Sequence, residues 1–196
     1  MFTGIIESTG SVKEVISTGN NKTFWINSPL ATALKVDQSL SHNGVCLTVE
    51  AIKDGQHRVT AIAETLLKTN LRNWQPGTIL NLERCMQPNG RLDGHIVQGH
   101  VDCIAECTGI VEKGGSWEFD FSFPEGFSNN IIEKGSVTIN GISLTLFNVA
   151  HHSFTVAIIP YTYQHTNMNV LKKGDFANIE FDVVGKYVER IMNKQV

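Results

Sequence analysis

Two short blocks of the sequence place a small polar side chain where a nucleophile or a hydrogen-bonding group could act. Residues 43–48 read Asn-Gly-Val-Cys-Leu-Thr and residues 140–145 read Asn-Gly-Ile-Ser-Leu-Thr, so Cys46 and Ser143 hold equivalent positions. In a strand, residues i and i+2 share one face. Each nucleophile is therefore expected beside the threonine of its block, while the leucine between them points into the core. The pattern predicts a small polar ligand pocket in each half.

Histidine distinguishes the two halves of the chain. His100 occupies the position that Ile5 holds in the first half, so only the second half carries an ionisable base there. An imidazole exchanges protons usefully near neutral pH. A surface or hydrogen-bonded structural histidine is the alternative. Lys134, which precedes a glycine, fits either a turn or an anchor for a polar ligand.

A metal site is the competing interpretation of His95, His100, Cys103 and Cys107. Residues 96–103 alternate like a strand, which would direct these ligands to both faces, unlike the paired spacing of zinc sites. We therefore predict no metal. Four cysteines are also too few for a disulfide scaffold in a chain of this size, so free thiols are expected.

Length and composition set the class of protein. The 196 residues include 41% hydrophobic and 18% charged residues, which favours a packed core over disorder. A formal charge of −3 does not indicate the excess of basic residues that proteins use to bind nucleic acid or an anionic membrane. The sequence lacks a signal peptide and any apolar run long enough to span a bilayer. We expect a soluble, cytoplasmic protein that binds neither nucleic acid nor membranes.

Turn pairs such as Asn43-Gly44 and Asn140-Gly141 separate short runs rich in Val, Ile, Thr and Phe, which predicts an all-β protein. The chain is also an internal repeat. Four blocks recur 97 residues later, and a fifth recurs after 95: 43–48 with 140–145, 62–65 with 159–162, 69–71 with 166–168, 77–83 with 174–180, and 4–7 with 99–102. Each copy has the strands to close a small antiparallel barrel with a short helix over one end.

We divide the chain into a first barrel at 1–95, a second barrel at 96–185 and a C-terminal helix at 186–196. Val184, Val188, Ile191, Met192 and Gln195 fall on one helical stripe, which is apolar except for the glutamine. A helix this short needs a surface to lie on. Its own subunit and a second copy of the chain are both open as that surface.

The opening Met-Phe-Thr-Gly-Ile-Ile-Glu at 1–7, both Asn-Gly blocks and the run Gly-His-Ile-Val-Gln-Gly-His-Val-Asp at 94–102 together resemble the riboflavin synthase family. The resemblance implies two tandem six-stranded Greek-key barrels and a C-terminal helix that joins three subunits. It also implies a dismutation without metal or organic cofactor. Two molecules of 6,7-dimethyl-8-ribityllumazine exchange a four-carbon unit and give riboflavin and 5-amino-6-ribitylaminouracil. The first barrel of one subunit would face the second barrel of a neighbour.

The resemblance also implies the substrate-binding residues. It assigns to the first pocket Gly4, Ile5, Ile6, Ser39, Cys46, Leu47, Thr48, Thr60, Ala61, Ile62, Ala63, Glu64 and Thr65. It assigns to the second pocket Gly99, His100, Val101, Lys134, Ser143, Leu144, Thr145, Ile159, Pro160, Tyr161, Thr162, Tyr163 and Gln164. Phe2, His95 and Asp182 match further site positions of the family.

On this basis His100, with Thr145, would remove a proton from the C7 methyl group of one lumazine. A nucleophile would activate the other lumazine at C7, with Cys46, Ser143 and water as candidates. Two alternatives stay open: a non-catalytic lumazine- or flavin-binding antenna protein on the same barrels, and a β-barrel scaffold or small-ligand module without catalysis.

Overall fold

The structure, a computed structural model, describes residues 1–193 and consists mostly of β-strands. The first half contains β1 (Ser8–Thr18), β2 (Asn21–Asn27), β3 (Ser39–His42), β4 (Val45–Thr48), β5 (Ala51–Lys53), β6 (Gln56–Ala61), α1 (Ala63–Lys68) and β7 (Ile79–Arg84). The second half contains β8 (Cys103–Glu112), β9 (Trp117–Ser122), β10 (Ser136–Ile139), β11 (Ile142–Phe147), β12 (Ser153–Ile158), α2 (Pro160–His165), β13 (Phe176–Phe181) and α3 (Val183–Met192). Short 3₁₀ turns cover Ala31–Ala33, Asn70–Asn73, Glu125–Asn130 and Asn167–Asn169.

Both halves form the barrels that the sequence predicts. The six strands of the second half close in the order β10-β11-β12-β9-β8-β13. The first half has the order β4-β3-β7-β1-β2-β6-β5, in which β4 and β5 are consecutive in the chain. At the offset of 97 residues, β4 corresponds to the first part of β11, and the last residues of β11 align with Val49 and Glu50, whose N–H donates to the Arg58 carbonyl at 2.9 Å. The first barrel thus keeps the strand order of the second, with β5 as an additional short strand at its end.

Alternating side chains fill each barrel. In β6 every second residue is buried, as expected for a strand with one face toward a core. Phe24, Leu40 and Leu82 are fully buried in the first core. Phe119 and Phe121 are fully buried in the second. The alternation of the sequence therefore encodes two separate cores, which confirms the predicted fold class.

The two Asn-Gly turns meet at the centre of the molecule. Asn43 and Gly44 have φ of 47° and 78°, and Asn140 and Gly141 have φ of 46° and 83°, the left-handed values that this residue pair adopts in tight hairpins. A Cβ on Gly44 would lie 2.9 Å from the Gly141 nitrogen, so only glycines allow this approach. The turns relate the barrels by an approximate two-fold axis.

The C-terminal helix begins at Val183 rather than at 186, because the Asp182 carboxylate caps it by accepting the Val184 N–H at 3.0 Å. The predicted stripe is open to solvent, with exposed fractions of 58% at Val184, 54% at Val188 and 59% at Ile191. The predicted end of the helix at 194–196, including Gln195, lies outside the described residues. Within residues 1–193, no helix is long and apolar enough to cross a membrane.

Candidate active site

Two equivalent strands carry the candidate nucleophiles. The first site strand is β4, with Cys46 half-buried and Thr48 exposed, and the second site strand is β11, with Ser143 half-buried and Thr145 exposed. Leu47 is buried in the first core, and Leu144, its counterpart, packs against the second. The predicted alternation is confirmed: each polar pair shares the outer face of its barrel while the leucine faces inward.

Each site strand pairs with a segment from the other repeat. The Cys46 N–H donates to the Gly99 carbonyl at 2.9 Å, and the Ser143 N–H donates to the Gly4 carbonyl at 2.8 Å. We call residues 1–7 and 96–102 the first and second crossover segments. Residues 96–103 were predicted to alternate as a strand; this is wrong for 96–102, since β8 begins only at Cys103. An isolated bridge between Phe2 and Val97 joins the two crossover segments.

This exchange corrects the predicted composition of the pockets. Gly4 was placed with Cys46, and Gly99 with Ser143, but the structure brings together the opposite pairs. Ile6 accordingly packs against the second core. Val101 packs against the first. The crossover arises because the unpaired edge of each site strand bonds to the segment that leads into the other barrel.

His95 lies beside the second site strand. Its Nδ1 is 2.6 Å from Ser143 Oγ, and its Nε2 is 3.3 Å from Thr138 Oγ1. Burial lowers the pKa of His95, although the Asp182 carboxylate partly opposes this effect. The imidazole is therefore neutral at pH 7. With Nε2–H donating to Thr138, Nδ1 is free to accept the Ser143 hydroxyl proton.

Cys46 is in a different environment. Burial raises the pKa of its thiol, and a hydrogen bond with Ser39 opposes the rise only in part. The reactive thiolate is therefore scarcer at neutral pH than for an ordinary cysteine. Ser39 lies directly opposite Thr48 in the β3–β4 pair, and Cys85, an exposed thiol, donates to the Ser39 carbonyl at 3.5 Å. The two equivalent nucleophiles thus differ in their partners: the Ser143 hydroxyl contacts an imidazole, whereas the Cys46 thiol has a hydrogen bond with Ser39.

The strand ends and short helices that follow them carry the other predicted pocket residues of each barrel. Thr60 and Ala61 end β6, and α1 follows with Ala63, Glu64 and Thr65. The equivalent residues of the second barrel are the α2 residues Pro160, Tyr161, Thr162, Tyr163 and Gln164. Ile62 and Ile159 precede these helices in equivalent positions and are 55% and 59% exposed. Two large aliphatic side chains are thus left without cover within one chain.

The remaining predicted residues have mixed positions. Phe2 is buried, and a Cβ on Gly99 would lie 2.9 Å from its ring, so Phe2 supports the second crossover segment. Lys134 is exposed with its ammonium 5.7 Å from the Phe147 ring centre. His100 is exposed and Asp182 caps α3. Cys103 and Cys107 are buried thiols in the second core.

A groove of about 510 Å³ lies beside the first barrel, and the predicted residues Ile5 and Ser39 form part of its wall. Within residues 1–193, possible metal-ligand atoms of Glu125, His151 and His152 lie within 4.8 Å of one another, and all three residues are exposed. They are not among the four residues that the sequence analysis considered as metal ligands.

Sequence reasoning missed Thr138 and two buried carboxylates, Glu83 and Glu180. Glu83 and Glu180 are 97 residues apart within repeated blocks, so the repeat carried a signal for them. Their exposed fractions are 3% and 1%, unusual for glutamate. Each accepts hydrogen bonds from a crossover segment, as described below. Thr138 had no comparable signal, because its contact with His95 depends on the crossover.

Comparison with known proteins agrees with this arrangement. The lumazine binding domain family matches twice, at residues 3–85 and 98–182. The chain is 37% identical to riboflavin synthase of Bacillus amyloliquefaciens over 195 residues, covering 99% of this chain and 91% of the relative. It is 40% identical to riboflavin synthase of Mycobacterium tuberculosis (strain ATCC 25618 / H37Rv) over 200 residues, covering 98% of each.

A similar solved structure is that of LumP complexed with 6,7-dimethyl-8-(1'-D-ribityl) lumazine. It has a TM-score of 0.85 and 21% identity, covering 92% of this chain and 99% of that one. At this identity the likeness shows the fold alone. The duplicated family match and the two near full-length relatives go further: the chain belongs to the riboflavin synthase family of transferases.

Proposed function

We propose that this chain catalyses the dismutation of two 6,7-dimethyl-8-ribityllumazine molecules to riboflavin and 5-amino-6-ribitylaminouracil, without a metal or organic cofactor. The observation that carries the proposal is the pair of equivalent site strands, β4 with Cys46 and β11 with Ser143, one on each barrel. A reaction between two copies of one substrate needs two related pockets. Holding both molecules in register replaces a bimolecular encounter with an oriented one, which lowers the barrier substantially.

Each pocket would hold one lumazine ring against its site strand. Thr48 and Thr145 offer exposed hydroxyl groups, and Ile62 and Ile159, which precede α1 and α2, offer exposed apolar surface. Polar groups that meet the ring edge and aliphatic groups that cover its faces suit a flat heterocycle. Because these side chains are open to solvent in one chain, a second surface is needed to exclude water from the reacting rings.

We propose that this surface is the other barrel of a neighbouring subunit in a homotrimer. His100 follows Gly99, which bonds to the first site strand, whereas Thr145 lies on the second site strand. A His100–Thr145 pair that removes the methyl proton would therefore form between subunits. The exposed apolar face of α3 supports assembly, since helices of this length need a partner surface. The cytoplasmic location stays a prediction from the sequence.

For activation of the second lumazine we propose Ser143 rather than Cys46. The Ser143 oxygen would add to C7 of the ring while its proton passes to Nδ1 of His95, and elimination later returns the proton to Ser143. The 2.6 Å contact with a neutral imidazole supports this role. The raised pKa of Cys46 disfavours thiolate attack. Water oriented by the same pair is the alternative nucleophile.

The test is direct. Purified chain is mixed with 6,7-dimethyl-8-ribityllumazine after removal of metals with a chelator, and the flavin absorption band is followed. We expect one riboflavin for every two lumazines consumed. A shifted spectrum of bound lumazine without turnover would instead indicate an antenna-type binding protein. No spectral change on titration would indicate a scaffold without this ligand.

A further inference from the structure

Two buried glutamates hold the crossover segments, and nothing in the proposed mechanism uses them. Glu83, at the end of β7, and Glu180, near the end of β13, occupy equivalent positions on the outer faces of their barrels. Both are almost completely buried. A buried carboxylate is costly unless hydrogen-bond donors satisfy it, so its partners indicate what it is for.

Glu180 accepts three consecutive backbone N–H groups of the second crossover segment. Its Oε1 accepts the Gln98 N–H at 2.7 Å, and its Oε2 accepts the N–H groups of Gly99 and His100, both at 2.9 Å. Hydrogen bonds to an ionised acceptor are stronger than neutral ones. The carboxylate therefore fixes the backbone of this segment at the point where it meets the first site strand.

Glu83 has the equivalent position with a different bonding pattern. Its Oε1 accepts both the N–H and the hydroxyl of Thr3, at 2.6 and 2.7 Å, and its Oε2 accepts the Gly4 N–H at 3.0 Å. The N–H of Ile5, the counterpart of His100, donates instead to the Thr3 hydroxyl at 3.2 Å. Of the two carboxylates, Glu180 alone therefore accepts the backbone N–H at this position, which in the second crossover segment belongs to His100, the proposed base.

These segments fit closely against the site strands. A Cβ on Gly99 would lie 2.6 Å from Cys46 Cβ, and a Cβ on Gly4 would lie 2.6 Å from Ser143 Cβ. A displacement of either segment toward its site strand would therefore press it against a candidate nucleophile. Small misplacements of reacting groups reduce rates by as much as about 100-fold, so the anchors of these segments bear directly on the chemistry.

We propose that Glu180 is a positioning residue for His100, and that Glu83 performs the equivalent function for Gly4 against Ser143. The inference rests on the proposed function, in which His100 removes the methyl proton. The carboxylate must be ionised to hold the segment, because the O–H of a protonated carboxyl would face the backbone N–H groups, which are also donors. Burial raises the pKa of the Glu180 carboxyl, and the three N–H donors together with the Lys186 charge offset only part of that rise.

The test compares Glu180→Gln, Glu83→Gln and, as a matched control, Glu112→Gln on an exposed position of β8. Glutamine has the same shape but one acceptor oxygen, so its NH₂ group must face an N–H of the segment. We expect E180Q to lower kcat about 10- to 100-fold with a smaller change in KM. E112Q should match the unmodified chain.

The second readout is the NMR chemical shifts of the His100 ring at constant pH, which do not require turnover. E180Q should change these ring shifts, whereas E83Q and E112Q should leave them unchanged. Unchanged kcat and unchanged His100 ring shifts in folded E180Q would overturn the proposal, even if the variant melts at a lower temperature. If E180Q does not fold, Glu180→Asp takes its place, because it keeps the charge but withdraws the carboxylate by one methylene; the same two readouts then decide.

The two proposals can fail separately. If the unmodified chain produces no riboflavin, the proposed function has failed, and the His100 ring shifts still decide whether Glu180 positions that residue. If the unmodified chain is active and E180Q matches it in both readouts, only the positioning role has failed.

Discussion

Asn81 and Asn167 form a reciprocal pair across the two barrels: the Asn81 Nδ2 donates to the Asn167 Oδ1 at 2.8 Å, and the Asn167 N–H donates to the Asn81 Oδ1 at 2.7 Å. The repeat supplies a related contact, in which the Asn70 N–H donates to the Asn178 Oδ1 at 2.7 Å. All four residues are buried or nearly so. The barrels are thus joined by satisfied amide groups around the two-fold axis, which makes their relative position specific.

Asn81→Ala should destabilise the protein strongly. The substitution leaves the Asn167 N–H without its acceptor and the Asn140 carbonyl without the donor that lies 2.9 Å away. Stranded buried polar groups each cost about 1–3 kcal/mol, so we expect the free energy of unfolding to fall by about 3 kcal/mol. Urea denaturation measures it, with exposed Asn169→Ala as the control. A loss no greater than that of the control would show that the pair contributes little.

Sequence and structure agree where the determining chemistry is local. The turns at Asn43-Gly44 and Asn140-Gly141 follow from the ease with which these residues adopt positive φ. The inward leucines follow from the two-residue period of a strand. The apolar stripe of α3 follows from helical periodicity, and the repeat made both barrels recognisable from one pattern.

The crossover could not be predicted, because periodicity does not specify which distant segment an edge strand meets. Gly4 and Ser143 have no local relationship in the sequence, and their contact exists only after both barrels close. The contact between His95 and Ser143 spans 48 residues for the same reason. Residues 96–102 resembled a strand because they alternate, yet their N–H groups at Gly99 and His100 bond to a carboxylate instead of a neighbouring strand.

The first barrel should be sensitive to acid through a buried histidine pair. His42 Nε2 and His57 Nε2 lie 2.8 Å apart, and His42 Nδ1 bonds to the Leu40 carbonyl at 3.0 Å. Burial lowers the pKa of His57 to about 4, and burial and then His57 lower that of His42 well below its usual value. The rings are neutral in the folded protein, whereas the histidines of the unfolded chain bind protons below about pH 6.5. The free energy of unfolding should therefore be highest above that pH and decrease as the pH falls toward 4.

The repeat provides the control for this prediction. Ile139 and Phe154 occupy the equivalent buried positions of the second barrel, so the variant His42→Ile/His57→Phe copies a natural apolar pair. Between pH 6.5 and 4 the unmodified chain should lose about 3 kcal/mol more stability than this variant. Chemical denaturation at several pH values measures the difference. Parallel pH dependences would show that the histidine pair does not govern acid sensitivity.

Ser143→Ala should reduce turnover far more than Cys46→Ala. Of the two candidate nucleophiles, Ser143 alone has a neutral imidazole within hydrogen-bond distance, so its loss removes the proton path to His95. We expect kcat to fall about 100-fold for S143A and less than about threefold for C46A. Steady-state assays with 6,7-dimethyl-8-ribityllumazine measure both, and lumazine titrations establish that each variant still binds. The reverse order of effects would assign the nucleophile to Cys46.

A charge on the apolar face of α3 should break the proposed trimer. Val188→Glu places a carboxylate on a face that would be buried between subunits, where an unpaired charge is costly. Arg190→Glu is the control, because Arg190 is an exposed charged residue of the same helix. Light scattering after gel filtration should find V188E monomeric and R190E trimeric. A trimer of V188E would mean that another surface joins the subunits.

Gly99 and Gly55 have similar backbone conformations, but only Gly99 lies against a site strand. Comparing their alanine variants therefore separates the cost of steric overlap from the cost of backbone strain. Gly99 has φ of +81° and Gly55 has φ of +73°, so alanine is unfavourable at both. A Cβ at position 55 meets no atom within 4 Å, whereas at position 99 it would lie 2.6 Å from Cys46 Cβ and 3.0 Å from its backbone nitrogen. Backbone atoms cannot move aside as a flexible side chain does.

We therefore expect Gly99→Ala to cost about 2 kcal/mol more than Gly55→Ala, the difference being the overpacking at Cys46. G99A should also lower turnover, because the displaced segment carries His100, while G55A should retain the activity of the unmodified chain. Denaturation curves and lumazine assays on both variants measure the two effects. Equal losses of stability would mean that Gly99 is required for its backbone conformation and not for its approach to the first site strand.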